Sequence, residues 1–148
     1  MSTGTWTHKA AEMVGSQLSA LGTAPDVITI VPATYGHYQP VGATTWWVNI
    51  EQLSALPIPE TSSSYRVQFR LGIWVWMNNL GDLDTAAAAI DAYSEAVHQK
   101  LLYNTLAGWA REGISNDAMS AGQYVKGGTD NARYGYHFEV TITKQLGI

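Results

Sequence analysis

Apolar and polar side chains alternate from Tyr65 to Met77, and a few residues later the alternation gives way to helical spacing. One face of this segment carries apolar side chains: Tyr65, Val67, Phe69, Leu71, Ile73, Val75 and Met77. The opposite face carries a mixed set: Arg66, Gln68, Arg70, Trp74 and Trp76. Because successive side chains of a strand point to opposite faces, the pattern predicts a strand that is fully buried on one side only.

An amphipathic helix is predicted directly after this strand. The stretch from Asn78 to Gly81 breaks the alternation, and apolar side chains then recur three and four residues apart from Asp82 to about Leu106. They are Ala86, Ile90, Tyr93, Val97 and Leu101. Asp82 or Asp84 can cap this helix, because carboxylates are favoured beside the unpaired N–H groups of a first turn. We therefore interpret these two acids as capping residues and not as an acid–base pair.

The N-terminal third predicts a helix followed by two strands. Apolar side chains share one helical face between Thr5 and Leu21, and Gly22 ends that pattern. The β-branched run from Val27 to Val31 predicts a first strand, and the segment from Thr44 to Ile50 predicts a second. The residues between them, 33–43, are rich in turn formers. We expect these two strands to pair as a hairpin.

Two long loops and a final strand complete the prediction. The segment 54–64 holds two prolines and several serines, and the segment 107–133 holds scattered glycines and serines, so both predict loops. Alternation returns from Tyr136 to Ile142 and predicts a last strand, whose most economical partner is the strand from Tyr65 to Met77. The whole chain, 1–148, then predicts one α+β domain. Its antiparallel, possibly mixed, sheet of about four or more strands would be flanked by an N-terminal helix and a long central helix.

Composition narrows the partners that this domain could have. A chain of 148 residues can bury a core as one domain, and without cysteine it has no disulfide and no thiolate metal site. The N-terminus lacks a basic segment followed by an apolar run, and no apolar stretch approaches the length of a membrane span. A net charge of −4 with 14% charged residues disfavours a nucleic-acid binder. We therefore expect neither a membrane nor nucleic acid as a binding partner.

No reactive group stands in a spacing typical of catalysis or metal binding. The four histidines, His8, His37, His98 and His137, lack the short spacings of metal ligands. The glycines after Lys126 are not followed by the Gly-Lys-Ser/Thr ending of a phosphate loop, and there is no Gly-x-Ser-x-Gly elbow. The sequence thus assigns no catalytic, cofactor-binding or metal-ligating residue, and we expect a protein that is not an enzyme.

Aromatic content points to assembly with other protein chains. Six tryptophans and eight tyrosines are many for a chain of so few charges, because solvent-facing aromatic rings are costly unless another protein covers them. Candidate interface residues combine arginine with aromatic rings, as interface hot spots do: Arg66, Arg70, Trp74, Trp76, Arg133 and Tyr134. The alternative is equally open at this point. The arginines would then be solvated and the tryptophans would pack beneath a helix of the same chain.

The order of elements resembles that of tail terminator, or tail completion, proteins of long-tailed bacteriophages. The resemblance covers most of the chain and is carried by the strand from Tyr65 to Trp76 running into the helix at Ala86 to Ile90. It is also carried by the run from Gly127 to Arg133 before the last strand. It implies a homo-oligomeric ring of six copies that caps the head-proximal end of the tail tube, stops tube polymerisation and offers the head-joining surface.

The same resemblance implies a location and a set of partners. The location would be the tail or neck of the virion, after assembly in the host cytoplasm. The partners would be further copies of the chain, the tail tube protein and a head-completion or connector protein, with DNA only as cargo through the ring lumen. The loops at 54–64 and 107–133 would reach neighbouring subunits or partners.

Three other functions stay open on the sequence. The chain could be a head-to-tail connector, or neck subunit, or a minor capsid subunit of the same machinery. It could be a small enzyme or ligand-binding domain whose aromatic pocket is lined by Tyr35, His37, Trp46, Trp47, Trp74 and Trp76. It could also be a monomeric adaptor that docks peptides on an edge strand.

Overall fold

The computed structural model describes residues 5–78, 83–103, 110–115, 122–125 and 132–147. Its helices and strands follow in chain order: α1 (Trp6–Leu18), β1 (Ile28–Pro32), β2 (Trp46–Pro59), β3 (Ser64–Asn78), α2 (Leu83–Tyr103), β4 (Ala110–Ser115), β5 (Gly122–Val125) and β6 (Ala132–Gly147). Both predicted helices are therefore present. Asp84 lies in the first turn of α2, whereas Asp82, the other predicted cap, lies outside the described residues.

The described strands form one six-stranded mixed sheet with β3 near its centre. The strand order is β1-β2-β3-β6-β4, and β5 pairs with β6 beyond this path. β3 is antiparallel to both neighbours, with Tyr65 opposite Pro59 of β2 and Leu146 of β6. The predicted α+β class is confirmed. The predicted pairing of the last strand with the strand from Tyr65 to Met77 is confirmed as well.

The prediction that the first two strands form a hairpin is wrong. β1 and β2 are parallel, with Ile28 opposite Val48 and Pro32 opposite Gln52. Parallel neighbours need a connection that crosses back along the sheet, and residues 33–45 provide it. This crossover segment lies over one face of the sheet, where it covers two tryptophans.

The predicted loop at 54–64 is wrong for residues 54–59, which belong to β2. The turn to β3 is short, and the Thr61 N–H donates to the Ser64 carbonyl oxygen at 3.1 Å. Pro57 and Pro59 are tolerated because β1 ends opposite Gln52. Among the described strands, the outer edge of β2 beyond that point has no partner, and such edges accommodate proline.

Two stretches of the predicted loop at 107–133 are strands, which corrects that prediction in part. β4 and β5 both pair antiparallel with β6, with Ala110 opposite Thr143 and Gly122 opposite Gly135. Residues 132–133 of the predicted loop belong to β6, and the rest of that segment lies outside the described residues.

Both helices pack on one face of the sheet, and the main core lies between the helices and that face. The helices contribute buried apolar side chains: Ala10, Ala11, Val14 and Leu18 from α1, and Ile90, Val97 and Leu101 from α2. β3 contributes the face predicted to be apolar, and Leu71, Ile73 and Val75 are fully buried. Trp46 of β2 stacks on Tyr93 of α2 with ring centroids 4.4 Å apart. We call this side of the sheet the helix face.

Asp26 fixes the entry of β2 beside β1. Its carboxylate accepts the N–H groups of Thr44 at 3.0 Å and Thr45 at 2.6 Å, and also the Thr44 hydroxyl at 3.1 Å. The backbone N–H of Asp26 in turn donates to the Trp46 carbonyl oxygen at 2.9 Å. The hydrogen bond from the Thr45 backbone is the main cause that lowers the pKa of Asp26 below its usual value. The ionised Asp26 side chain thus adds hydrogen bonds that stabilise the parallel arrangement of β1 and β2.

Replacing Asp26 by alanine is expected to reduce the free energy of unfolding at pH 7 by about 1 to 2 kcal/mol, because hydrogen bonds to a charged acceptor are lost. Since the folded-state pKa is lowered, this contribution is present above the unfolded-state pKa of about 3.9 and is lost as the pH falls through the folded-state value. Urea unfolding of wild type and Asp26→Ala at pH 7 and at pH 3 measures the difference. Asp26→Asn, which keeps one acceptor oxygen, is the control and should lose less. A difference that does not shrink at low pH contradicts this account.

Candidate functional site: the second face of the sheet

The crossover segment, residues 33–45, covers one part of the sheet face opposite the helices. Trp47 and Trp76 are fully buried beneath it and form a small second core with Ala43 of the segment, against which Val27 and Trp74 pack. The Trp76 indole N–H donates to the Gly36 carbonyl oxygen at 2.7 Å, and the Trp47 indole N–H donates to that of Tyr38 at 3.2 Å. Trp74 and Trp76 therefore pack beneath this segment and not under a helix, which was the alternative that the sequence left open.

Trp76 is therefore not an interface residue, which corrects the sequence-based prediction. Its side chain is 1% exposed within a single chain, so no second subunit can contact it in this conformation. The prediction that aromatic rings remain on the surface is correct for Tyr35 and Tyr38, which are 57% and 47% exposed, but not for most of the described tryptophans. Trp46 and Trp47 are also buried within the chain, and only Trp6 among the described tryptophans is as much as 40% exposed.

Two glycines let the backbone approach tryptophan rings closely on this face of the sheet. Gly36 lies so near the Trp74 indole that a Cβ atom at this position would overlap the ring. Gly135 of β6 stands in the same relation to Trp76, where a Cβ atom would lie 2.5 Å from the ring. Both glycines are therefore needed for close packing against tryptophan.

A buried carboxylate ties the crossover segment to the strands below it. Glu51 of β2 is 4% exposed and accepts the Thr34 N–H at 2.9 Å and the Trp74 indole N–H. Thr34 itself has a φ of +76°, in the left-handed region that costs free energy for a side chain of this type. The hydrogen bond to Glu51 thus holds Thr34 in a strained conformation that the crossover requires.

His137 of β6 completes this polar cluster without joining its hydrogen bonds. Its Nε2 atom is buried, has no hydrogen-bond partner and lies 4.0 Å from the nearer carboxylate oxygen of Glu51. The imidazole ring instead packs against the Trp74 indole, with centroids 4.5 Å apart. The two titratable groups are therefore too far apart in this geometry for direct proton transfer, and the cluster works as a structural acceptor for neutral donors.

The predicted aromatic pocket is not assembled. Trp46 lies on the helix face, whereas Trp47, Trp74 and Trp76 lie on the opposite face. Tyr35 and His37 are exposed on the crossover segment. The six side chains proposed to line one pocket are thus divided between two sides of the sheet.

Beyond the crossover segment the second face is exposed at Leu56 and Arg70, whereas Thr143 on the same face is 3% exposed. We call this part the outer face and define it by Leu56 of β2, Gln68 and Arg70 of β3, and Glu139 and Thr141 of β6. Leu56 lies opposite Gln68, and Arg70 lies opposite Thr141. The Arg70 guanidinium contacts both carboxylate oxygens of Glu139 at 2.8 Å, with the arginine side chain 48% exposed. An ion pair this exposed contributes at most about 1 kcal/mol to stability, so both side chains can exchange partners at low cost.

The end of β2 and its turn to β3 form an exposed element at the edge of the sheet that we call the hairpin arm, residues 54–64. Side chains on both sides of β2 are exposed in the arm: Ser54 and Leu56 on the outer face, and Ala55 and Pro57 on the helix face. Leu56 alone is 55% exposed. The arm is thus an apolar strand segment that the described part of the chain leaves uncovered on both faces and along one edge.

The predicted interface residues separate into three groups. Arg66 and Arg70 share the outer side of β3, with Arg66 opposite Ile58 of the arm. Trp74 and Trp76 lie beneath the crossover segment. The backbone of Arg133 and Tyr134 lies in β6, opposite Asn78 and Met77, and their side chains lie outside the described part of the structure.

Sequence reasoning missed Leu56 and Glu139. Leu56 shares one side of β2 with Ser54 and Ile58. Pro57 and Pro59 obscured that pattern, because prolines are rare within strands. Glu139 alternates with buried Phe138 and Val140, so its face was predictable. Its pairing with Arg70 depends on the register of β3 against β6, which the sequence does not show.

Metal binding and membrane insertion find no support in the described residues. They contain no group of three or more histidine, aspartate and glutamate side chains placed to hold a metal ion. No helix among them is long and apolar enough to cross a membrane. Comparison with known proteins adds no family: no protein-family model matches the sequence, and no curated protein matches it.

Proposed function

We propose that the protein is a structural subunit that assembles into a ring, as the tail terminator of a long-tailed bacteriophage. The hairpin arm is the observation that carries this proposal. Its apolar residues, Ala55, Leu56 and Pro57, are exposed on both faces of one strand, and an exposed apolar strand end is an aggregation hazard unless another chain covers it. The arm also coincides with the 54–64 segment that the resemblance expects to reach a neighbouring subunit.

The arm is better suited to contact another chain through its side chains than to pair with an added β-strand. Pro57 and Pro59 have no N–H to donate, so this end of β2 cannot offer a complete set of donors to an added strand. This disfavours the adaptor that docks peptides on this edge. The outer face beside the arm offers Leu56 with the ionic pair of Arg70 and Glu139, which suits a contact that is apolar at its centre and charged at its rim.

The exposed arm also suits assembly into a ring. An arm that reaches a different surface on the next copy makes a heterologous contact, and such contacts close into rings when the rotation permits. The finished ring would cap the tail tube, halt its polymerisation and present the opposite surface to a head-completion protein. A neck connector would use the same contact, and the partner that binds the ring, tail tube or portal side, distinguishes the two.

The first test is the mass and shape of the assembly. In concentrated solution, six copies of the 16.1 kDa chain would give a particle of about 97 kDa by light scattering, with a central hole in negative-stain images. Leu56→Asp is expected to abolish this particle, because it places a charge in the contact. The matched control is Val41→Asp, which makes the same kind of change at a side chain that is 96% exposed on the crossover segment.

Two outcomes would contradict the proposal. One is a wild-type chain that stays monomeric and does not sediment with tail tubes. The other is a Leu56→Asp variant that still forms rings, which would place the contact away from the arm. Circular dichroism of each variant ensures that a loss of rings is not a loss of fold.

A further inference from the structure

The groove between α2 and β6 is separate from the arm and from the outer face. It has a volume of about 270 Å³ and lies on the helix face of the sheet. Side chains of both elements line it: Asp91, Ser94, Glu95 and His98 from α2, and Tyr136 and Phe138 from β6. One molecule of liquid water takes up about 30 Å³, so a groove of this volume has room for one short alkyl chain with a charged head group.

Ser94 lines this groove and carries an unsatisfied polar atom. Its side chain is 9% exposed, and its hydroxyl oxygen is buried without a hydrogen-bond partner. Buried hydroxyl groups nearly always find a partner, because an unpaired one loses its hydration without compensation. A ligand with an N–H group in the groove would supply that partner.

Two carboxylates stand at the mouth of the groove, one helical turn apart. Asp91 accepts the hydroxyl group of Tyr136, and this hydrogen bond is the main cause that raises the pKa of the tyrosine. Glu95 accepts the side-chain amide N–H of Gln99 at 3.1 Å. Both carboxylates thus have neutral donors, and no ion pair joins either of them to a cation among the described residues.

Aromatic rings form the floor. Phe138 is 3% exposed and meets the edge of the His98 ring at a centroid distance of 5.4 Å, while Tyr136 is partly buried. Aromatic faces attract cations and accommodate methylene groups. A site with carboxylates at its mouth, rings at its floor and one buried hydroxyl suits an alkyl chain that ends in a positive charge.

We infer that this groove binds an organic cation, a guanidinium or primary ammonium group on a short alkyl chain. The cation lies between the carboxylates of Asp91 and Glu95, one N–H donates to the Ser94 hydroxyl oxygen, and the alkyl chain packs on Tyr136 and Phe138. Two sources carry this chemistry: an arginine or lysine side chain of another protein, and a free small amine.

The probes are n-butylguanidinium and n-butylammonium, with uncharged n-butylurea as the control ligand. Titration followed by amide chemical shifts in NMR spectra is expected to give saturable binding of the cations, with shifts centred on α2 and β6. The urea should bind at least ten-fold more weakly. A second arm compares the capped peptides Gly-Arg-Gly and Gly-Gly-Gly. Tighter binding of the arginine peptide than of n-butylguanidinium identifies a protein side chain as the source, and weaker binding identifies a small amine.

Variants decide whether the binding uses the proposed groups. The double variant Asp91→Asn with Glu95→Gln is expected to weaken cation binding at least ten-fold, and Ser94→Ala several-fold. Asp84→Asn is the matched control, because it removes an exposed acid from the first turn of the same helix and should leave binding unchanged. Thermal unfolding verifies that each variant is folded. Equal binding of n-butylurea, shifts elsewhere in the protein, or unchanged affinity in the double variant would overturn the inference.

Discussion

Replacing Trp76 by alanine is expected to lower the free energy of unfolding by about 3 to 5 kcal/mol, the range for removing a large aromatic ring from a core. Trp76 is 1% exposed and packs beneath the crossover segment with Trp47 and with Ala43 of that segment. The change also leaves the Gly36 carbonyl oxygen without the indole donor that lies 2.7 Å away. The Asn49 side-chain amide still donates to that oxygen at 2.8 Å, so the crossover segment should be loosened but not released. Chemical unfolding in urea measures the effect.

Trp6 provides the matched control for this experiment. It is also a tryptophan, but it is 40% exposed on α1, where the Lys9 ammonium group lies 4.4 Å from its ring centroid. Trp6→Ala should cost less than about 1 kcal/mol, as surface substitutions usually do. Equal losses for both variants would show that the second core does not hold Trp76 as described. The contrast also means that a failure of Trp76→Ala to assemble would report a damaged fold and not a lost interface.

The elements that the sequence predicted well are those whose pattern is local. Alternation in β3 identified the buried side chains of Leu71, Ile73 and Val75, because a half-buried strand requires apolar residues at every second position. The pairing of β3 with β6 followed, since two strands with one apolar face each must present those faces to the same core.

The direction of β1 relative to β2 was not predictable in this way. A turn-rich segment between two strands is compatible with a hairpin and with a crossover. The structure selects the crossover through contacts distant in sequence, in which Glu51 accepts the Thr34 N–H and Asp26 accepts the N–H groups of Thr44 and Thr45. No single position in the sequence reveals these pairs.

The candidate interface shows the same limit. Arg70 and Trp76 were assigned correctly to one side of β3, but their exposures are opposite. Alternation determines which side of the sheet a residue faces, whereas the burial of its side chain depends on where the crossover segment lies. The hairpin arm escaped prediction for a related reason, because Pro57 and Pro59 mark a break in a central strand but are permitted at an unpaired edge.

Replacing Glu51 by leucine is expected to cost about 3 kcal/mol, because two partly buried donors lose their acceptor at once. These donors are the Trp74 indole N–H and the Thr34 backbone N–H. The leucine would also release Thr34, whose positive φ depends on that hydrogen bond. We expect the crossover segment to become more open to hydrogen exchange while the main core between the helices and the sheet is retained.

A double-mutant cycle separates the indole contact from the rest of this loss. Trp74→Phe removes the indole donor, so combining it with Glu51→Leu leaves one donor fewer unpaired than Glu51→Leu alone. The two changes together should therefore cost less than the sum of the single changes, with a coupling of about 1 to 3 kcal/mol. The control cycle uses Trp47→Phe, whose indole donates to the Tyr38 carbonyl oxygen and not to Glu51. Its coupling to Glu51→Leu should be smaller, and equal coupling in both cycles would mean that Glu51 acts on the whole crossover segment and not through Trp74.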